Sequence, residues 1–352
     1  MMKNILNIIV SLLLIISSSC TEETPEEEKN LILDHSAISI EVGEDTTIKV
    51  VEAPIASEAV VWASSDESVA SVFYGVVTAI SSGTATISAT MGQYVAECTI
   101  TVPERSYQLV WSDEFDGTEL NMDNWTIEVN GNGGGNNELQ YYTDRSDNIR
   151  VEDGMLVIEA KKEEYENKSY TSGRIITKNK QDFKYGKIEA RLKVPSGVGT
   201  WPALWMLGYG SWPRAGEIDI MEHVGYDPNT FHCALHTLNY NGMASSSGNA
   251  SGELELDEAC ANDFHIITME WIENEFMGYD RIHVYVDGVK MKTFAETSQL
   301  QESGDWPFND QFFFIINLAI GGSWGGAQGI DDAMFDNPVL YKVDYLRVYQ
   351  LQ

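Results

Sequence analysis

The chain has 352 residues, of which 43% are hydrophobic and 11% aromatic, with 29 glycines and 9 prolines. This composition can bury a substantial core, which excludes a disordered or collagen-like chain, and the length suits one or two domains. The formal net charge of −32 excludes nucleic acid and anionic membrane surfaces as partners through repulsion, whereas an uncharged polysaccharide is compatible with it.

The first nineteen residues have the pattern of an export signal. Lys3 precedes a largely apolar run over residues 5–16, which is too short for a membrane-spanning helix, and small residues follow it. The segment resembles a bacterial lipoprotein signal, which implies a signal peptide over 1–19 and acylation of Cys20. Ordinary secretion with Cys20 unmodified is the alternative.

Residues 20–30 form an acidic segment with five glutamates, and their mutual repulsion predicts a solvated tether. Next to Cys20, such a stretch also resembles the surface-export signal of Bacteroidetes-type lipoproteins, although a plain linker explains it equally well. The expected location is therefore the cell envelope, with the protein lipid-anchored through Cys20 to the outer membrane and exposed at the surface.

Residues 31–103 alternate apolar and polar positions with a period of two, which indicates short half-buried strands separated by glycines. About seven such strands predict a small immunoglobulin-like sandwich. The stretch over 61–72, followed by 75–80 and 83–87, resembles the bacterial immunoglobulin-like group 2 family. Trp62 and Cys98 are expected in the core, and the module is interpreted as a spacer. Glucan binding by the module is an open alternative.

Residues 107–352 again show short alternating strands, and no long helical pattern interrupts them. One large antiparallel sandwich therefore fits this region better than an α/β fold. Five tryptophans lie here among Gly and Pro, and exposed aromatic faces suit stacking on sugar rings. They are Trp201, Trp205, Trp212, Trp306 and Trp324.

The most informative segment is 216–225, where three acids alternate with aliphatic residues. Glu217 and Asp219 share a face of a strand, whereas Glu222 falls on the opposite face unless one residue is accommodated as a β-bulge near Met221. With the bulge, the two glutamate carboxyl groups approach about 5–6 Å, close to the ~5–5.5 Å of a retaining glycosidase. Because the three acids cannot all ionise cheaply, at least one pKa must rise. The pattern does not decide which glutamate is the nucleophile.

The segment resembles the active-site strand of glycoside hydrolase family sixteen, in its laminarinase branch. Eight further stretches recur in family order across residues 107–352. They are Trp111–Asp116, Asn137–Thr143, Ser172–Ile175, Gly199–Met206, His236–Thr237, Phe264–Trp271, Asn317–Gly322 and Val343–Tyr349. The resemblance implies a concanavalin-type jelly roll, so the whole chain is expected to be all-β.

The resemblance implies a role for each matching residue. Glu217 would be the nucleophile, Asp219 the assisting acid and Glu222 the general acid/base. The implied substrate-binding residues are Asn137, Arg174, Trp201, Trp205 and His236, with His236 expected close to the acid/base. No cofactor is needed for catalysis, but a structural calcium ion is implied, with ligands from Glu114, the Gly154 carbonyl and Asp344.

The leading hypothesis is a monomeric, retaining endo-β-1,3-glucanase that cleaves laminarin-type β-glucan by double displacement. Two alternatives remain: a hydrolase of mixed-linkage glucan or of an agar or carrageenan galactan, and a catalytically silent glycan-binding lipoprotein. A disulfide between Cys233 and Cys260 is left open, because spacing in the sequence cannot establish their distance.

Overall fold

A computed structural model describes residues 30–54, 59–104, 106–243, 246, 248, 250–273, 279–295 and 306–351. The export signal, Cys20 and nearly all of the acidic tether lie outside the described residues. The chain divides into two compact units, with the boundary after Glu104. In the described ranges, no helix is long and apolar enough to cross a membrane.

The N-terminal unit is a small β-sandwich. Its main sheet has the order β2-β9-β8-β5, its second sheet has the order β3-β7-β6, and β1 pairs with β4. The strands are β1 (Ile32–Leu33), β2 (Ala37–Ser39), β3 (Asp45–Thr47), β4 (Val50–Glu52), β5 (Val61–Ser64), β6 (Ala70–Phe73), β7 (Val76–Ala79), β8 (Gly83–Met91) and β9 (Tyr94–Val102). As expected from the alternation, Cys98 is buried in the core and Trp62 packs against it.

The C-terminal unit is a sandwich of a ten-stranded and a seven-stranded sheet, both largely antiparallel. Its strands are β10 (Tyr107–Asp113), β11 (Thr126–Ile127), β12 (Gln140–Tyr142), β13 (Ile149–Glu152), β14 (Met155–Tyr165), β15 (Lys168–Ser172), β16 (Arg174–Ile176), β17 (Gly186–Lys193), β18 (Thr200–Gly208), β19 (Glu217–Glu222), β20 (Thr230–His236), β21 (Ala250–Glu255), β22 (His265–Ile272), β23 (Arg281–Val286), β24 (Val289–Ala295), β25 (Phe312–Ile320) and β26 (Val339–Leu351). Two 3₁₀ turns cover Gly133–Gly135 and Asp332–Asp336. The all-β prediction is confirmed in both units.

The seven-stranded sheet, with the order β11-β16-β25-β18-β19-β20-β21, has one face on the core. Leu204, Met206 and Ile218 contribute to the large core cluster from that face. Because side chains alternate along a strand, Trp205 and Leu207 lie on the opposite face, where they pack with other apolar residues of the sheet. We call this opposite face the site face.

Cys233 and Cys260 are both fully buried free thiols. The two cysteines contribute to the core cluster of the C-terminal unit without being bonded to each other. The structure thus places the pair in the core without the disulfide that the sequence left open.

Candidate active site

A β-bulge brings the three acids of β19 to the site face. Opposite β18, Leu204 pairs with Met221 and Trp205 with Asp219, so β19 carries one extra residue between them. The register with β20 shifts in the same interval. Ile220 and Met221 are consecutive, yet both are buried in the core cluster. The predicted bulge is therefore confirmed, and it restores Glu222 to the face that Glu217 and Asp219 occupy.

Each glutamate receives a hydrogen bond from a tryptophan indole. Trp212 Nε1 donates to Glu217 Oε2 at 2.9 Å, and Trp201 Nε1 donates to Glu222 Oε1 at 2.9 Å. A charge-assisted hydrogen bond of this kind favours the ionised carboxylate and fixes its rotamer. In each case the second carboxylate oxygen is left for other contacts. Trp212 was noted in the sequence only as one of five clustered tryptophans, and nothing there indicated its contact with Glu217.

His236 was expected beside the acid/base, and this expectation is corrected by the structure. Its Nε2 lies 2.9 Å from Asp219 Oδ2 and 3.7 Å from Glu217 Oε1. The reason is the strand register, because His236 is the β20 partner of Glu217, whereas the partner of Glu222 is His232. Glu217, Asp219 and Glu222 form a row that we call the acid row, and His236 contacts this row at Asp219 and Glu217 rather than at Glu222.

Burial dominates the electrostatics of the three acids. It raises the pKa of Glu217 well above its usual range, and the Asp219 charge raises it further while His236 opposes this. Burial also raises the pKa of Asp219 to about 8. The pKa of Glu222 rises to about 8 for the same reason, with a further contribution from Asp219. A site that holds protons near neutral pH can both donate one and accept one.

The substrate-binding residues taken from the resemblance occupy two parts of the site face. Trp201 makes an edge-to-face contact with Trp324, at 5.4 Å between ring centroids. The Arg174 guanidinium lies 5.0 Å over the Trp205 ring, and its Nε pairs with Glu128 at 2.5 Å. Trp324 was also seen only as one of the clustered tryptophans in the sequence.

Asn137 is an exposed residue on the loop that follows the 3₁₀ turn at Gly133–Gly135. Its Nδ2 donates to Ser323 Oγ at 3.2 Å, and Ser323 directly precedes Trp324. The structure thus brings Asn137 to the end of the site that carries Trp201 and Trp324.

The three positions implied for calcium meet at one edge of β26. This strand pairs with β17 over Lys342–Tyr349, so its partners β14 and β10 must share its other edge, and Asp344 lies between the stretches that they cover. Glu114 follows the end of β10, and Gly154 precedes the start of β14. The backbone placement therefore fits a shared oxygen-ligand site.

The side chains at that edge have other partners. Glu114 forms a two-point ion pair with Arg347, at 2.9 and 2.7 Å, and Asp344 pairs with Arg191 at 2.6 Å. An ion bound here would have to replace a guanidinium group. Among the described residues, Glu217, Asp219 and His236 also have ligand atoms within 4.8 Å of one another, but these are the groups of the acid row itself.

A row of buried carboxyl groups beside tryptophans, on the open face of a β-sandwich, defines a glycoside hydrolase. Residues 135–347 match the model of glycosyl hydrolases family 16, and residues 29–102 match the bacterial Ig-like domain (group 2). The chain belongs to glycosyl hydrolases family 16.

The relatives agree with this assignment. The chain is 44% identical over 255 residues to a beta-glucanase from Rhodothermus marinus, covering 69% of this chain and 85% of that protein. The laminarinase structure from Rhodothermus marinus has a TM-score of 0.64 and 41% identity, over 70% of this chain and 99% of that one. The catalytic domain of an endo-1,3-beta-glucanase (laminarinase) from Thermotoga petrophila RKU-1 has a TM-score of 0.63 and 40% identity, over 71% and 100% of the two chains.

Proposed function

We propose that the protein is a retaining endo-β-1,3-glucanase that hydrolyses laminarin-type β-glucan by double displacement. The observation that carries this proposal is the bulge in β19, which turns Glu217 and Glu222 to one face with Asp219 between them. Two carboxyl groups on one wall suit attack and protonation at the same glycosidic bond. The names of the relatives from Rhodothermus marinus and Thermotoga petrophila support the choice of β-glucan as substrate.

The contacts support Glu217 as the nucleophile. It receives the Trp212 indole N–H and lies 3.7 Å from His236, and both partners favour its ionised form. Glu222 receives the Trp201 indole N–H, while burial and then the negative charge of Asp219 raise its pKa and help to hold its proton. The ionised Glu217 attacks the anomeric carbon and forms a glycosyl ester, while Glu222 protonates the departing oxygen. Glu222 then deprotonates the water that hydrolyses the ester.

Product analysis on laminarin, lichenan, agarose and carrageenan tests the substrate. Laminarin should be cleaved fastest, and a rapid fall in viscosity relative to reducing-end release would indicate endo action. Faster cleavage of lichenan or a galactan would favour a same-fold hydrolase of those polymers. Binding measured by calorimetry without any product would favour a silent glycan-binding protein.

Proton NMR of the first product tests the mechanism, because a retaining enzyme releases the β-anomer before mutarotation. The variants Glu217→Ser and Glu222→Gln should each lose at least about 1,000-fold in turnover, since each lacks a group that acts directly on the bond. Near-wild-type turnover of either variant would contradict the assigned roles.

We further propose that Cys20 is lipidated and that the acidic segment over 20–30 sends the monomeric enzyme to the outer surface of the cell envelope. The apolar run, the small residues and the glutamates of the sequence support this proposal. Replacing Cys20 with Ser should move the protein from the membrane fraction to the soluble fraction. Protease accessibility of intact cells tests surface exposure, and light scattering of the soluble variant tests the monomer.

A further inference from the structure

Trp205 is joined to a buried carboxylate by a chain of hydrogen bonds. Its Nε1 donates to Asn317 Oδ1 at 2.7 Å, and Asn317 Nδ2 donates to the Tyr142 hydroxyl at 3.1 Å. That hydroxyl donates to Glu138 Oε2 at 3.1 Å, and the same oxygen accepts from Gln140 Nε2 at 2.7 Å. Glu138 is 5% exposed and Tyr142 is 2% exposed, so water competes little for these bonds.

The groups at the two ends of this chain of hydrogen bonds determine which atoms donate and which accept. A carboxylate only accepts hydrogen bonds, so the Tyr142 hydroxyl must donate to Glu138 and accept from the Asn317 amide nitrogen. The Asn317 carbonyl oxygen then faces Trp205, whose indole N–H only donates. Burial and the neighbouring Glu138 charge raise the pKa of Tyr142, which keeps its proton in place for this role. Only one arrangement satisfies every group, and it holds the indole in one orientation.

The same carboxylate also supports the glycine-rich loop that precedes it. A Cβ atom added at Gly134 would lie 2.2 Å from Glu138 Oε1, and Gly134 has a φ of +59°. The loop can therefore close over the carboxylate only because a glycine stands there. Gln140 links this region to β25, since its Oε1 accepts from the Ile320 backbone N–H at 2.8 Å.

We propose that Glu138 is a positioning residue for substrate binding, which sets the orientation of Trp205 through Tyr142 and Asn317. This inference rests on the proposed function and on the role in substrate binding that the family resemblance implies for Trp205. Trp205 is the β18 partner of Asp219, so a tilt of its ring changes the surface next to the acid row. Glu138 touches no reacting atom, and its effect is expected in KM rather than in kcat.

The substitution Tyr142→Phe tests the role of the hydrogen-bond chain, because it removes the central hydroxyl and keeps the aromatic ring. With a β-1,3-linked gluco-oligosaccharide of fixed length, KM should rise roughly 3- to 10-fold while kcat stays within about 2-fold. Glu138→Gln should change KM in the same direction, since an amide can also donate and no longer fixes the direction of the chain. Tyr341→Phe is the matched control: its ring is fully buried and its hydroxyl has no hydrogen-bond partner among the described residues, so KM should not change.

A double-mutant cycle with Trp205→Phe separates a positioning effect from a general loss of packing. If Tyr142 acts through Trp205, then Tyr142→Phe should have no further effect on KM in the Trp205→Phe background. Calorimetric melting of each variant checks folding.

Three outcomes would overturn the inference: an unchanged KM for Tyr142→Phe, a full additional rise of KM in the Trp205→Phe background, or a loss in kcat alone. An unchanged KM for Trp205→Phe itself would remove the stacking role and the inference with it. Failure of the wild-type enzyme to cleave β-1,3-glucan is a separate result, which contradicts the proposed function directly.

Discussion

His236 Nε2 lies 2.9 Å from Asp219 Oδ2, on the far side of the acid row from the Trp201 indole. The imidazole thus places a ring nitrogen next to the most buried of the three acids. Burial raises the pKa of Asp219, and the same effect on Glu217 is opposed by the charge of His236. The histidine therefore favours the ionised form of Glu217, the proposed nucleophile.

Replacing His236 with Asn should shift the acid limb of the kcat/KM profile. Without the imidazole, the pKa of Glu217 rises further, and since Glu217 must be ionised to attack, activity appears only at higher pH. We expect a shift of this limb to higher pH, with a roughly 10-fold loss of kcat/KM on its acid side. A shift of the basic limb alone would contradict the assignment of His236 to the nucleophile end.

Asp219→Asn should have the opposite effect on the basic limb. The negative charge of Asp219 raises the pKa of Glu222 and also that of Glu217, so its removal lowers both pKa values, and the basic limb follows Glu222. Because Glu222 must be protonated to donate, activity would then be lost at a lower pH, together with about a 10- to 100-fold fall in kcat. Asp257→Asn removes one charge at an exposed position outside the acid row and should leave the profile unchanged. Equal shifts in both variants would indicate a general charge effect.

Glu222→Gln should stabilise the enzyme at neutral pH. The ordinary pKa of this group is 4.5, and burial raises it to about 8 in the folded state. Below pH 4.5, Glu222 is protonated in both the folded and the unfolded state, so its ionisation does not affect stability. As the pH rises from 4.5 towards the folded pKa, only the unfolded state releases the proton, and the free energy of unfolding falls. Gln carries no such group, so the variant should gain on the order of 2 kcal/mol, or a few degrees in Tm, at pH 7 and nothing at pH 4.

Calorimetric scans of the catalytic unit at several pH values measure this gain. Glu164→Gln, at an exposed glutamate, is the control and should show no pH-dependent difference. A gain for Glu222→Gln that is equal at pH 4 and pH 7 would show that ionisation is not its cause.

Calcium should raise the Tm of the enzyme, because the backbone brings Glu114, Gly154 and Asp344 to one edge of β26. An ion that binds only the folded state stabilises it in proportion to the logarithm of its concentration. Since calcium must displace Arg347 from Glu114, we expect a shift of about 2–5 °C at millimolar calcium. Chelator should reverse it, and Glu114→Gln should abolish it. An equal shift in Glu114→Gln would place any bound ion elsewhere.

The acid row could be predicted from sequence because its physical constraint is local. An odd spacing between Glu217 and Glu222 requires one extra residue, and the bulge at Ile220 and Met221 supplies it. The contact of His236 could not be predicted in the same way. It depends on the register between β19 and β20, and a difference of four residues along β20 decides which histidine meets which glutamate.

The hydrogen bonds that orient Trp205 could not be predicted from sequence patterns either. Glu138 and Tyr142 come from one segment and Asn317 from another, and only the folding of the chain brings the two segments together. The stretches Asn137–Thr143 and Asn317–Gly322, which resemble the family, contain these residues. A hydrogen bond between residues 175 positions apart, however, leaves no periodic signal in the sequence.

Trp212→Phe should lower kcat while leaving KM nearly unchanged. The change keeps an aromatic ring but removes the N–H that donates to Glu217 Oε2 at 2.9 Å. That bond stabilises an ionised carboxylate, and losing a charge-assisted hydrogen bond costs about 1.5–3 kcal/mol, which corresponds to roughly 10- to 100-fold in rate. Trp306→Phe is a suitable control, because Trp306 is buried and its Nε1 has no hydrogen-bond partner within the part of the chain that the structure describes. If Trp212→Phe instead raised KM with kcat unchanged, the indole would serve as a sugar contact rather than as a partner of the nucleophile.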